Sequence, residues 1–415
     1  MDNPPELSQR LADGQTEDHT EPKPVFFNLS QEADREQLSH LLDQNPATKV
    51  IDTYDGQLKE VFVLENPWLH LNKPQRDQEF VSYRADHYAG RPEWQAGVWV
   101  YLTWRHVLLH VLDDANYQKV RTARNRNLIT AAEQETFYNS TIGIAGQSVG
   151  NSCALTIVQT GGGKRLRLAD NDTLELTNLN RIRGSIAEIT SLKVHMSARQ
   201  IYELDPYADL ELFTDGLTEA NIEKFFDGPP KLDVVVDEID QLGMKIRIRQ
   251  EAKKRGIPVV MAADNGDSGV LDIERHDLED DIELFHGRAG SDLADRVLKQ
   301  DPPLPIIGRI IGEELIGFDI HEERMLESLL EIGKSIPTWP QLGSAAALNG
   351  VLVATAVRKI ITGQPLENNR AVASMSELLV PGYNEPDHKA KRQQLIDTFV
   401  QKSDEALEQL KKKLG

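Results

Sequence analysis

The stretch Thr141-Ile142-Gly143-Ile144-Ala145-Gly146-Gln147-Ser148-Val149-Gly150-Asn151 decides the fold. Thr141 to Ala145 is an apolar run of strand length, a glycine-bearing turn follows at Gly146, and a helical pattern then continues to about Gln159. A strand, a tight turn and a helix N-terminus together make an anion site, because backbone N–H groups and the positive helix end face the same point. The turn is not a full GxGxxG, since Ser148 replaces the middle glycine. Taken alone, it also fits simple close packing of helix on strand.

Outward from this turn, strand and helix patterns alternate. Leu166 to Ala169 reads as a strand, Ser191 to Leu204 as a helix, Leu210 to Phe213 and Val234 to Val236 as strands. A helix from about Met244 ends in basic residues before Gly256 and Pro258, and Val259 to Met261 is a further strand. Strands alternating with helices predict parallel pairing with right-handed crossovers. The fold class is therefore α/β, a doubly wound Rossmann-like sheet, expected over 126–366.

The flanks differ. Residues 1–23 are rich in Asp, Glu, Pro and Gln, with no basic start followed by an apolar run, and are expected to be a disordered leader. Residues 24–125 are expected to form a small, loop-rich α+β domain. It contains a helix near Gln31 to Leu42 and a hairpin pairing Val98–Leu102 with Val107–Val111, and the proline-containing, charged stretch Asn72 to Pro92 interrupts it. Residues 282–340 read as a helical insertion, followed by a Gly- and Ala-rich helix at Gly343 to Ile361. The extension 367–415 carries Leu395, Phe399, Leu407 and Leu410 near one face of an amphipathic helix.

Asp170 closes the strand after the glycine turn, 20 residues beyond Gly150. A dinucleotide fold places its ribose-binding acid there, and both NAD and ATP carry a ribose. The next motifs along the chain are more selective: Thr177-Asn178-Leu179-Asn180-Arg181, then Lys193 twelve residues later in a first helical turn, then Asp240-Gln241 after the Val234 strand.

This ordered set resembles the ThiF/MoeB/ubiquitin-activating family from about Arg124 to Gly363, including the Trp339-Pro340-Gln341-Leu342-Gly343 start of a closing helix. The sequence is most similar to a bacterial subgroup with its own N-terminal domain, often followed by a nitroreductase-like domain. No such domain is expected within these 415 residues.

The resemblance implies an adenylyltransferase that binds ATP and Mg²⁺ and activates a carboxylate with release of pyrophosphate. It implies that Arg181 and Lys193 clamp the phosphates, Asn178 orients them, Asp240 holds Mg²⁺ and Asp170 grips the ribose. Gly146, Ser148, Gly150 and Gln241 would frame the nucleotide. Arg126 matches a family arginine often lent across a homodimer interface. In an ungapped alignment Ser148, Val149 and Asn151 replace family glycines, and Gln241 stands where the family has Asn.

The single cysteine, Cys153, lies inside the helix after the turn, so a small buried apolar residue is expected there and a catalytic thioester is not. It also excludes a disulfide framework and a multi-cysteine zinc site. Glu274 to Glu283, with His276, reads as a solvated acidic loop rather than a metal site. With 46 Lys plus Arg against 66 Asp plus Glu, the chain carries a formal charge of −20. That surplus argues against coating nucleic acid or a membrane surface, and it disfavours tRNA. No stretch approaches the roughly 18 uninterrupted apolar residues of a membrane span. A cytoplasmic protein is the simplest fit. The expected partner is a peptide, a ubiquitin-like protein or a small molecule bearing a carboxylate. Two other classes stay open: a dinucleotide-dependent oxidoreductase, which shares the turn and Asp170, and a non-catalytic nucleotide-binding scaffold.

Overall fold

The computed structural model describes residues 4–13, 22–300 and 302–414. The N-terminal part comprises α1 (Pro4–Asp13), β1 (Val25–Phe27), α2 (Glu32–Gln44), β2 (Lys49–Asp52), α3 (Tyr54–Glu65), α4 (Lys73–Tyr88), β3 (Val98–Leu102), β4 (Val107–Val111) and α5 (Asp114–Arg121). Its four strands form a sheet in the order β1-β3-β4-β2. The β3–β4 hairpin has the expected boundaries, with Val100 opposite Leu109.

Two expectations fail here. The leader is not structureless where it is described, because Pro4–Asp13 is helical; residues 1–3 and 14–21 lie outside the described residues. Asn72 to Pro92 is not a loop, because it contains the 16-residue α4. Pro74 sits in the first turn, where its missing N–H is harmless, and Asn72 caps that turn by accepting from Gln75 N at 3.3 Å.

The central unit follows as α6 (Ala131–Tyr138), β5 (Thr141–Ala145), α7 (Val149–Gln159), β6 (Arg165–Ala169), α8 (Lys193–Leu204), β7 (Asp209–Phe213), α9 (Ile222–Asp227), β8 (Val234–Asp237), α10 (Leu242–Arg255), β9 (Val259–Asn265) and β10 (Ser268–Glu274). Then come α11 (Leu293–Leu298), α12 (Leu304–Arg309), α13 (Glu323–Leu329), α14 (Gly343–Ile361), β11 (Arg370–Ser374), α15 (Met375–Leu379) and α16 (Pro386–Leu414).

The seven-stranded sheet runs β11-β10-β9-β8-β5-β6-β7. Strands β5 to β9 pair in parallel as the alternation predicts, with Ile142 opposite both Leu166 and Val234. The sheet is nevertheless mixed: β9–β10 and β10–β11 are antiparallel. The tight turn at Gly266 (φ +65) folds β9 straight back on β10, so no crossover helix is needed there.

The main core lies between the sheet and helices α7 and α14, with Ile144, Cys153, Ile157, Val236, Val353 and Val357 buried together. α14 is the one described helix long and apolar enough to cross a bilayer, and here it packs on α7, β9 and β10. The insertion after β10 covers α10 through Phe285, Leu293 and Val297. In α16, Phe399 is buried against Phe318 at 4.7 Å between ring centres, which seats the amphipathic helix on its own chain. The Leu410 side chain lies outside the described residues.

The N-terminal domain docks on the C-terminal end of α8 and the turn after it. Arg121 pairs with Asp205 at 3.1 Å, Trp104 Nε1 donates to Glu203 at 2.7 Å, and Tyr117 OH donates to Leu204 O at 3.0 Å.

Candidate nucleotide cleft

The order β8-β5-β6 reverses direction at β5, and clefts of doubly wound sheets open at such a switch beyond the C-terminal strand ends. A cleft of about 280 Å³ lies there. Its walls include Gly146, Gln147 and Ser148 from the turn, Asp170 and Asp172 after β6, Lys193 at the start of α8, and Glu238, Asp240 and Gln241 after β8.

The turn needs Gly146 for two reasons. Its φ is +86, and a Cβ would stand 2.3 Å from Glu238 O. Gln147 and Ser148 then present a buried Oε1 and a buried Oγ that find no partner among the described residues. Unpaired buried oxygens beside the open N-terminus of α7 fit a polar ligand seated in the turn. Gly150 does not face the cleft as expected. A Cβ there would meet Ile144 Cγ2 at 3.2 Å, so this glycine serves close packing of α7 on β5.

Asp170 is tied to the turn: Gln147 N donates to its Oδ2 at 2.6 Å, and Asp172 N donates to its Oδ1 at 2.8 Å. Burial raises its pKa, while these N–H groups and Lys193 oppose the rise. Lys193 is buried except at the cleft, and its ammonium lies 2.8 Å from Asp172 Oδ2. Asp240 is exposed, and Gln241 is the residue before α10.

Three predicted site residues stand elsewhere. Asn178 is buried, and its Oδ1 accepts from Glu175 N at 3.0 Å. It shapes the turn that carries Arg181 instead of meeting phosphates, because its side chain closes a capping box. Arg181 lies outside the cleft walls, held by Asn180 Oδ1 at 3.0 Å and Thr177 O at 3.3 Å. Arg126 is exposed near the far end of α7, where neighbouring Asn125 donates to Thr160 O at 2.9 Å. An 11-residue helix separates that end from the phosphate turn, about 16 Å at 1.5 Å per residue. Within one chain Arg126 does not reach the cleft. Among the described residues, none of the N-terminal domain, docked on the opposite end of α8, lines it either.

Sequence reading missed several residues of this region. Glu238 is buried at the cleft with its pKa pushed well up by burial, and its Oε1 accepts from Ala262 N at 2.9 Å. Asp264, at the end of β9, is buried beside it in sequence-distant company, and only its strand-end position could have flagged it. Behind the cleft, Arg249 is fully buried between Asp237 and Glu274, with its guanidinium 3.7 Å from the Phe285 ring centre. His276 Nε2 lies 3.2 Å from Glu274. The start of Glu274–Glu283 is thus a buried ion-pair network and not a solvated loop, because Arg249 from α10 supplies the compensating charge. Among the described residues no group of three or more His, Cys, Asp or Glu could hold a metal ion. Cys153 is fully buried, as expected, and burial raises its thiol pKa well above the ordinary value.

The family model described as "ThiF family" matches residues 122–394. An uncharacterized protein of Mycobacterium tuberculosis, MT1398, is 38% identical over 288 residues, covering 69% of this chain and 39% of the relative. The tRNA threonylcarbamoyladenosine dehydratase of Bacillus subtilis is 31% identical over 140 residues, covering 33% of this chain and 54% of the relative. The chain thus spans less than two thirds of either relative. A crystal structure of E. coli MccB with ATP is similar at 15% identity and a TM-score of 0.44, covering 72% of this chain and 75% of that one.

Proposed function

Because this chain belongs to the ThiF family, we propose that it binds MgATP in the β5–β6–β8 cleft and adenylates a carboxylate without a cysteine. The observation that carries this is the convergence of Gly146, Ser148, Asp170, Lys193 and Asp240 on one cleft at the open end of α7. The unpartnered Gln147 Oε1 and Ser148 Oγ match a ligand rich in polar atoms.

In this reading Asp170 accepts from the ribose hydroxyls, and the N–H groups at the start of α7 face the phosphates. A substrate carboxylate oxygen attacks the α-phosphorus, the bond to the bridging oxygen breaks, and pyrophosphate leaves. Two anions meet in that step, so fixed positive charge must already be in place. Lys193 supplies one such charge. Arg181 supplies a second from the neighbouring turn, swinging off Thr177 O towards the nucleotide. Asp240 offers an oxygen ligand of the kind Mg²⁺ takes, and the ion would neutralise phosphate charge when bound. Arg126 contributes only from a second copy, which makes a homodimer the working form. The acyl group comes from a peptide or ubiquitin-like protein C-terminus, or from a small carboxylate, in a cytoplasmic setting. An outside nucleophile accepts it.

The experiment is ATP–pyrophosphate exchange with carboxylate-bearing partners that co-purify with the protein, run beside light scattering. Exchange by a dimer supports the reading. Exchange by a strict monomer removes the role of Arg126 across an interface, and MgATP binding with no exchange for any carboxylate favours a nucleotide-binding scaffold.

A further inference from the structure

Asp264 is a buried carboxylate with no part in the roles above. Each of its oxygens takes one amide: Asn349 Nδ2 donates to Oδ1 at 2.6 Å, and Gln341 Nε2 donates to Oδ2 at 3.0 Å. Gln341 also turns its backbone carbonyl to Asn180 Nδ2 at 2.8 Å. Asn180 Oδ1 accepts from Arg181 Nη1 at 3.0 Å. A continuous polar path therefore joins Asp264, Gln341, Asn180 and Arg181, using three segments far apart in sequence.

The backbone is drawn in around this path. A Cβ at Gly343 would stand 2.4 Å from Asn180 O, and one at Gly269 would stand 2.2 Å from Asn349 Oδ1. Neither position has room for a side chain, so α14 and β10 press directly on the network. Arg181 Nε is buried without a partner among the described residues, so the guanidinium is held at Nη1 and keeps donor capacity for something else.

Asp264 faces Arg181, its opposite charge, and Asp240, a like charge, and it also raises the pKa of neighbouring Glu238. A carboxylate here works against phosphate binding through space. Its one favourable electrostatic partner among these groups is Arg181.

We propose that Asp264 is a positioning residue for Arg181, fixing through Gln341 and Asn180 the turn from which its guanidinium swings towards the nucleotide phosphates. This rests on the adenylation reading, in which Arg181 meets those phosphates.

The test is a double-mutant cycle on the full chain, read as MgATP affinity by calorimetry, with folding checked by circular dichroism. The two roles that Asp264 could play have opposite signs. Loss of a mere nearby negative charge tightens MgATP binding, whereas loss of a positioning residue weakens it. We expect Asp264→Asn to weaken MgATP binding about fivefold, and the same change in an Arg181→Ala background to produce no further loss. Tighter binding by Asp264→Asn, unchanged binding, or an equal loss in both backgrounds overturns the proposal. If Asp264→Asn does not fold, Gln341→Ala takes its place in the cycle. That part-exposed side chain gives a smaller loss with the same dependence on Arg181, and a loss independent of Arg181 overturns the proposal equally. Arg181→Ala binding MgATP as tightly as the parent would remove the phosphate-clamp reading itself, and the proposal with it. A weakened Arg181→Ala with an uncoupled Asp264 removes the proposal alone.

Discussion

Lys193 Nζ lies 2.8 Å from Asp172 Oδ2, so the cation at the mouth of the cleft is already oriented before any nucleotide arrives. Asp172 is exposed on its other side, and such a half-exposed pair is worth under about 1 kcal/mol. Asp172→Asn should therefore change MgATP affinity less than about fivefold. In the proposed reading Lys193→Ala removes a charge aimed at the phosphates, and it should lower pyrophosphate exchange by about 10²–10³. Calorimetry and exchange assays on the two variants check the difference. Equal effects would mean that the pair, and not the ammonium, is what matters.

Asp264 sets a pH dependence of stability. Burial pushes its carboxyl up to about 6, opposed by the Gln341 and Asn349 amides and the Arg181 charge and reinforced by Asp240. A carboxyl whose folded pKa is raised stabilises fully below its unfolded value near 3.8, and that contribution is lost as pH rises through about 6. The stability difference should therefore shift in favour of Asp264→Asn between about pH 4 and 6, by up to about 3 kcal/mol, on top of a pH-independent cost for the amide hydrogen bond that the variant loses. Denaturant melts of both proteins across this window measure it. A pH-independent difference would contradict the assignment.

Arg249 should be the most sensitive buried position behind the cleft. Burial opposes every charge in this cluster, yet Lys245 and Arg249 still hold Asp237 below the ordinary carboxylate range, and Arg249 does the same for Glu274. Arg249→Ala leaves two buried carboxylates facing an empty space and should destabilise the fold by about 3–5 kcal/mol. Thermal unfolding is the measurement. A loss below about 1 kcal/mol would mean that water or a neighbour compensates.

Cys153 sits in the main core with no exposed surface. Cys153→Ala should keep nucleotide binding and exchange, with a stability loss on the order of 1 kcal/mol. Loss of transfer with exchange intact would reinstate a thioester step.

The parallel part of the sheet was legible in the sequence because local signals carried it. The apolar runs at Thr141 and Val234 and the Gly256 helix stop (φ +61) each act within a few residues. Ser148 and Asp170 were legible from their places at a helix start and a strand end, whereas Lys193 and Asp240 were picked out by the family resemblance; the sheet topology delivers all four to one cleft. The residues that stayed hidden depend on distant partners. Glu274 reads as a solvated acid until Arg249 arrives from α10. Asp264 acquires meaning only from Gln341 and Asn349, which are 77 and 85 residues away. α4 was hidden for a different reason: its proline and charges look loop-like unless Asn72 is recognised as a cap.

The central claim is that a charged constellation, and not the fold alone, turns this cleft to carboxylate adenylation. The most direct measurement is ATP–pyrophosphate exchange driven by a panel of peptides with free C-terminal carboxylates. The panel compares the parent with Arg181→Ala, Lys193→Ala and Asp240→Ala, and Lys254→Ala, an exposed change on the far side of α10, is the control. Each of the three should lose about 10²–10³ in exchange rate while staying folded, and the control should match the parent. Exchange in all three at the control rate, or a parent that binds MgATP yet exchanges with none of the carboxylates, would contradict the claim.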